Sequence, residues 1–369
     1  MSFEKFKLKA TLLLALTKIN FKLPTDVQNA SIPFLLENGN VFIKSSTGSG
    51  KTAAFLLPIL NKINTESEKI QSLIMTPTRE LAVQIYDQLK IFSQEMKSLS
   101  TALLIGGVSY NPQLKQLKNA QIIVGTPGRV TDLLSQNKFD LNNVETLVLD
   151  EVDEILKYGF KKDIDIVFGA IPKYCQIGLF SATKNKRIDE LMKEQIKEFK
   201  ILELNNELKV NSQIENKYIF VKNLDKYKTL IHVIDQLESR KTIIFVNTKL
   251  ESFNVYNYLI KNNIAAEVIN GDKTQFARLS AVNKFKAGKV GVLVATDVVG
   301  RGFDVKDIDL VINFELSDDN EDFVHRIGRT GRHDNFGTSV TFIKNATALY
   351  KLTEITKEFN IIVKEHFLA

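Results

Sequence analysis

The chain has 369 residues, of which 44% are hydrophobic and 25% charged, enough for two domains of ordinary size and typical of a soluble globular protein. A single cysteine, Cys175, excludes an internal disulfide and fits a reducing compartment, so a cytoplasmic location is expected. A net charge of +6 permits a polyanionic partner without demanding one.

The amino-terminal stretch MSFEKFKLKATLLLALTKI carries an apolar run only from Leu12 to Leu16, with lysines around it. It reads as an amphipathic helix; neither a secretory signal nor a membrane span fits, and no membrane partner is expected. Short β-branched runs then alternate with helical patterns. The predicted strands of the first half are VFIKS (41–45), SLIMT (72–76), ALLI (102–105), IIVG (122–125), TLVLD (146–150) and IGLFS (177–181). Those of the second half are YIFV (218–221), TIIFV (242–246), AEVIN (266–270), GVLVA (291–295), LVINF (310–314) and SVTFI (339–343). Strands alternating with helices predict parallel sheets covered on both faces. Between the two sets, ELNNELKVNSQIEN (203–216) is polar and aperiodic and reads as a linker. The expected fold is therefore α/β: two tandem domains, 1–205 and 217–369, joined at 206–216. The halves share this rhythm without an obvious sequence repeat.

After the first predicted strand comes SSTGSGKT (45–52), which opens a helical pattern. Gly48, Gly50, Lys51 and Thr52 form the end of a phosphate-binding loop, with Ser45 where the full pattern has its first glycine. Glycines let backbone N–H groups approach phosphate oxygens, Lys51 reaches the β- and γ-phosphates, and the Thr52 hydroxyl is a Mg²⁺ ligand. The stretch LVLDEVDEIL (147–156) then places four acids within five positions after an apolar strand. A helix N-terminus accounts for Asp153 and Glu154. Asp150 and Glu151 fall at the strand's carboxyl end, where open α/β sheets bind ligands. Beside a phosphate loop they take two roles: Asp150 holds the metal and Glu151 orients water.

With these residues in place, the chain resembles the DEAD-box ATP-dependent RNA helicases along nearly its whole length. The motifs FKLPTDVQ (21–28), SSTGSGKT (45–52), PTRELA (77–82), GG (106–107), TPGR (126–129), DEVD (150–153) and SAT (181–183) stand in the family's order. IIFVNT (243–248), NGDKTQFAR (270–278), VATDVVGRGFD (294–304) and HRIGRTGR (325–332) follow in the second half. The arginines support this independently. The chain has 40 lysines but only nine arginines, and seven of the nine (Arg79, Arg129, Arg278, Arg301, Arg326, Arg329, Arg332) fall inside these motifs. Guanidinium forks there suit phosphate, which lysine cannot grip in the same two-pronged way.

The resemblance implies two RecA-like domains and an RNA-stimulated ATPase that uses ATP and Mg²⁺ and remodels RNA duplexes by domain closure. It implies that Phe21 stacks on the adenine, that Gln28 reads its edge, and that Thr47, Gly48, Ser49, Gly50, Lys51 and Thr52 wrap the phosphates. Asp304 would bind the ribose, and Arg329 and Arg332 would be arginine fingers, each able to contribute about 10³- to 10⁵-fold in rate. Asp153, Ser181, Thr183 and His325 would couple hydrolysis to movement. RNA contacts would fall on Pro77, Thr78, Arg79, Gly107, Thr126, Gly128 and Arg129, then on Asn247, Thr248, Gly271, Gln275, Arg278 and Thr296. Small residues and arginines suit phosphates and 2′-hydroxyls better than bases, so sequence-independent binding by a monomer is expected. The chain departs from the family pattern at Val152 for alanine, Asn270 for histidine, Ser317 for proline and Gly300 for alanine. Two rival readings use the same motifs: an ATP-gated RNA clamp with slow turnover, and a DNA helicase.

Overall fold

The computed structural model describes residues 2–46, 48–204, 213–221, 224–297, 308–331 and 336–366. The chain divides into two compact units, Met1–Glu207 and Leu208–Ala369.

In the amino-terminal unit the strands are β1 (Val41–Lys44), β2 (Ser72–Met75), β3 (Thr101–Leu104), β4 (Ile122–Gly125), β5 (Thr146–Leu149), β6 (Gln176–Ser181) and β7 (Lys200–Glu203). They form one seven-stranded parallel sheet in the order β3-β4-β2-β5-β6-β1-β7. Consecutive strand residues enter different cores. Val41, Ile43, Ile74, Val124 and Val148 pack on one face, while Phe42, Leu73, Met75, Ile123 and Leu147 pack on the other. Burial on both faces explains why these strands read as continuous apolar runs. The amino-terminal apolar run lies in the helix Ala10–Lys18, whose Leu12, Ala15 and Leu16 are buried.

The carboxy-terminal unit repeats the plan with β8 (Ile214–Phe220), β9 (Thr242–Val246), β10 (Ala266–Ile269), β11 (Val292–Thr296), β12 (Leu310–Asn313), β13 (Gly337–Ile343) and β14 (Val363–Glu365). The order β10-β11-β9-β12-β13-β8-β14 is that of the first sheet with every number raised by seven. Two sheets of one topology thus arise from halves without visible sequence repetition.

Two strands and one boundary differ from the sequence reading. The edge strands β7 (KILE) and β14 (VKE) are short, charged and mostly exposed, so they lack the apolar signature of central strands. Strand β8 begins at Ile214, inside the segment read as linker. Its inward position 216 is an asparagine, whose Oδ1 accepts from the Ser339 hydroxyl at 2.8 Å on β13, so a polar residue hides a buried strand start.

Candidate functional sites

The phosphate loop leaves β1 and enters the helix Lys51–Lys62. Gly48 and Gly50 have φ of 79° and 96°, the left-handed region that favours glycine. A Cβ on Gly50 would also lie 2.5 Å from Gln28 Nε2, so the loop needs glycine there twice over. Ser45, in the first-glycine position, donates its backbone N–H to Ser181 O on β6 at 2.9 Å. Its hydroxyl donates to Ser49 Oγ at 2.8 Å, closing the loop across itself. Lys51 is buried and its ammonium donates to Ser45 O at 2.6 Å and Ser46 O at 2.9 Å. Burial lowers its proton affinity, and the charges of Asp150, Glu151 and Asp153 oppose that. Thr52 lies half-buried in the first helical turn. Thr47 lies outside the described residues.

Because β5, β6 and β1 are neighbours in the sheet, the acidic motif and SAT emerge beside this loop. Asp150 directly follows β5, anchored by its N–H to Met75 O at 2.9 Å. Its carboxyl is pushed up to about 7, first by burial and then by the Glu151 charge, with Lys51 pulling the other way. Glu151 turns the chain from strand to helix with φ 50° and ψ 51°. A side chain in that conformation carries a cost of about 1–3 kcal/mol, which identifies the turn as one the surroundings enforce. Val152 is fully buried in the core, so the departure from alanine is a packing change. Asp153 Oδ2 accepts from the Thr183 hydroxyl at 3.0 Å and from Thr183 N–H at 3.2 Å. The same N–H reaches Ser181 Oγ at 3.1 Å. The acidic motif and SAT are thereby one buried hydrogen-bonded unit.

Gln28 is 0% exposed, and its amide is already engaged at both ends. Oε1 accepts from Thr25 N–H at 3.0 Å, completing a capping box, and Nε2 donates to Gly50 O at 3.1 Å. It is tied to the phosphate loop instead of standing open at the surface. The Phe21 ring is half-buried, stacked on Phe3 with centroids 5.2 Å apart and tilted against Phe92 at 5.9 Å.

Residues expected to meet RNA line the carboxyl ends of β2, β3 and β4, which are neighbours. Pro77 and Thr78 are buried, and Thr78 caps the helix Arg79–Phe92. The Arg79 guanidinium lies against Gly106–Gly107; a Cβ on Gly107 would clash with its Nη1. That close approach is the physical reason for the paired glycines. Thr126 is the N-cap of the helix Pro127–Ser135, which presents exposed Gly128 and half-buried Arg129 in its first turn.

In the carboxy-terminal unit, Asn247 and Thr248 follow β9, and Thr248 caps the helix Lys249–Lys261. Thr296 ends β11. Arg278 donates to Asn270 O and Gly271 O, each at 3.1 Å. Asn270 replaces histidine without losing anchorage: its amide donates to Ser252 Oγ at 2.8 Å and accepts from Asp272 N–H at 3.1 Å. Gln275 is buried, and neither end of its amide meets a protein partner among the described residues. Ser317, in place of proline, accepts from Asp319 N–H at 3.3 Å, which helps start the helix Asn320–Ile327. His325 on that helix and Arg329 just beyond it are both buried, and Arg329 Nε donates to His325 O at 3.3 Å. Gly300, Arg301, Asp304 and Arg332 lie outside the described residues.

One arginine counted with the phosphate forks has a different place. Arg326 is 2% exposed and grips Asp297 with two nitrogens at 2.5 and 2.6 Å. It also donates to Glu315 O at 2.6 Å and Asn247 Oδ1 at 2.8 Å. The planar fork is used on an internal carboxylate, tying together the segments that follow β9, β11 and β12. Nothing in its sequence position separates it from Arg329; only the partner does.

Comparison with known proteins gives concordant results. The family model described as DEAD/DEAH box helicase matches residues 25–191, and that of the helicase conserved C-terminal domain matches 225–334. An ATP-dependent RNA helicase DeaD from Buchnera aphidicola subsp. Baizongia pistaciae is 38% identical over 366 residues, 99% of this chain and 60% of the relative. The DEAD-box ATP-dependent RNA helicase CshA of Bacillus subtilis is 38% identical over 359 residues, 96% of this chain and 72% of the relative. The chain thus spans 60% and 72% of the lengths of these two curated relatives. Among solved structures, S. cerevisiae Dbp5 bound to RNA and ADP BeF3 matches with a TM-score of 0.90 at 30% identity, covering 99% of this chain and 95% of that one. A DEAD box protein from Methanococcus jannaschii matches at 35% identity with a TM-score of 0.57, covering 100% and 99%. Both sheets accord with tandem RecA-like domains.

Proposed function

Because the chain belongs to the DEAD-box family of ATP-dependent RNA helicases, we propose that it is an RNA-stimulated ATPase that opens or remodels RNA duplexes and ribonucleoproteins by ATP-driven domain closure. The observation that carries this reading is the convergence at the ends of β1, β5 and β6. There Lys51, Asp150 and Glu151 meet beside the buried Asp153–Thr183 link.

In this mechanism Lys51 exchanges its two loop carbonyls for phosphate oxygens. Glu151 orients the attacking water and accepts its proton. Thr52 and Asp150 offer a hydroxyl and a carboxylate, the hard oxygen donors that suit Mg²⁺. A carboxyl pushed up to about 7 by burial is also one that a divalent cation would return to its charged form. The metal, when bound, neutralises charge on the phosphates. Gln28 joins adenine recognition to the loop through its bond to Gly50 O, with Phe21 as the stacking ring and Asp304 as ribose ligand. Closure brings Arg329 and Arg332 to the γ-phosphate, and Asp153, Ser181, Thr183 and His325 transmit the change. The RNA backbone is held by the motif ends of both units, without base reading. The protein works as a cytoplasmic monomer on this reading; among the described residues no helix is long and apolar enough to cross a membrane.

Glu151→Gln tests the assignment, because it keeps side-chain shape while removing the base. It is expected to bind ATP and RNA yet hydrolyse slowly, accumulating a stable ternary complex, whereas Lys51→Ala weakens nucleotide binding itself. Hydrolysis by Glu151→Gln at the parent rate would show that another group is the base.

A further inference from the structure

The guanidinium of Arg129 sits in a frame that the helicase motifs alone do not build. Both terminal nitrogens donate to Val108 O at 3.3 Å. The Tyr110 ring lies 4.3 Å from the guanidinium carbon, within cation–π range. Asp132, one helical turn on from Arg129, stands 3.7 Å from its Nε. That carboxylate is itself held, because the Tyr110 hydroxyl donates to Oδ2 at 2.7 Å and the Gln136 amide donates to Oδ1 at 2.8 Å. Tyr110 therefore acts on Arg129 twice, through its ring and through the acid that its hydroxyl anchors.

The frame fixes the arginine without exhausting it. An arginine has five N–H donors. Val108 takes the facing N–H of each terminal nitrogen and Nε faces Asp132, so one outward N–H remains on each terminal nitrogen, the two pointing to opposite sides of the group. Either outward N–H can donate one charge-assisted hydrogen bond to a single phosphate oxygen. The Arg129 side chain is only 8% exposed, so it cannot swing freely as a surface arginine does. Tyr110 is 41% exposed and begins the helix Tyr110–Leu117, just beyond the glycine pair that accommodates Arg79.

We propose that Tyr110 is a positioning residue for RNA binding: its ring and its hydroxyl-bound Asp132 hold the Arg129 guanidinium in place so that one outward N–H meets one backbone phosphate. This rests on the RNA-binding reading of Arg129 given above. A prefixed guanidinium loses little freedom on binding, so removing the frame weakens RNA binding even though Tyr110 need not touch RNA.

The test uses the full chain with a non-hydrolysable ATP analogue and a single-stranded RNA, its affinity measured across a salt series. Arg129→Ala is expected to lower the slope of log affinity against log salt by about one, the signature of one lost phosphate contact. Tyr110→Leu is expected to weaken binding about two- to fivefold, the size of one cation–π contact, and to move the slope towards that of Arg129→Ala. Tyr110→Phe keeps the ring and is expected to remain closer to the parent than Tyr110→Leu. The double variant Tyr110→Leu/Arg129→Ala is expected to bind no more weakly than Arg129→Ala alone. Should Tyr110→Leu fail to fold, Tyr110→Met carries the same expectation. Additive losses in the double variant, or an unchanged slope in Tyr110→Leu while Arg129→Ala changes it, would overturn the positioning role and leave the RNA reading intact. Absence of RNA binding by the parent protein would overturn the RNA reading itself.

Discussion

Replacing Arg326 with methionine keeps the length of the side chain and removes its fork. The Asp297 carboxylate then loses both of its 2.5–2.6 Å partners, and Glu315 O and Asn247 Oδ1 each lose a donor. Breaking a buried ion pair costs about 3–5 kcal/mol. The Asp297 side chain is 21% exposed, so water can reach part of the orphaned charge, and the lower end, about 3 kcal/mol, applies. For a unit of this size each kcal/mol lowers the unfolding midpoint by about 2–4 °C, giving a fall of roughly 6–12 °C. Calorimetry of the full chain reads this as a shift confined to the carboxy-terminal unit. Arg326→Lys should recover little, because a point charge cannot hold both carboxylate oxygens and Asn247 together. Combining Arg326→Met with Asp297→Asn should cost less than the sum of the two, since the unpaired charge is gone. An unchanged midpoint in Arg326→Met, with a defect only in ATP turnover, would refute the internal role and return Arg326 to the phosphate-binding arginines.

Thr183→Val removes one hydrogen bond to a buried carboxylate, worth about 1.5–3 kcal/mol, and should depress RNA unwinding more than ATP hydrolysis; equal loss of both would separate this link from coupling. Gln28→Ala should raise the ATP requirement and relax the preference over GTP, since the amide braces the phosphate loop at Gly50; unchanged ATP:GTP selectivity would place base reading elsewhere. Gly107→Ala puts a Cβ against Arg79 Nη1 at a φ of 75°, so RNA affinity should fall while RNA-free ATP binding persists, measurable by fluorescence anisotropy with both ligands. Burial pushes the Cys175 thiol up to about 12. It therefore stays protonated through pH 6–10 in the folded chain, and alkylation in that range should require denaturant.

Central strands announced themselves because burial on both faces demands continuous β-branched and aliphatic runs, as in IIVG and TIIFV. Strands β7 and β14 did not, because an edge needs no second apolar face and is protected by charge. Asn216 hid the start of β8 for a related reason: a buried polar residue satisfied by Ser339 looks like linker until its partner is known. The glycines of the phosphate loop were legible because motif chemistry fixes residue types, and the resemblance named Asp153 and Thr183 for one role; that they share a hydrogen bond follows from the sheet order, which sets β5 beside β6. What sequence could not supply was the partner of a versatile group. Gln28 and Arg326 each carry several hydrogen-bonding positions, and only the fold decides that Gly50 and Asp297 engage them. Tyr110 belongs to no motif, and its relation to Arg129 depends on two loops that meet only in space.

On this mechanism nucleotide chemistry answers to RNA. That dependence is tested most directly by ATP turnover of the full chain without nucleic acid, with single- or double-stranded RNA, and with DNA of the same sequence. Slow turnover alone, strong stimulation by RNA and little by DNA are expected, because small residues, backbone groups and arginines at the motif ends suit 2′-hydroxyls and phosphates. Equal stimulation by DNA, or turnover indifferent to RNA, would contradict the mechanism.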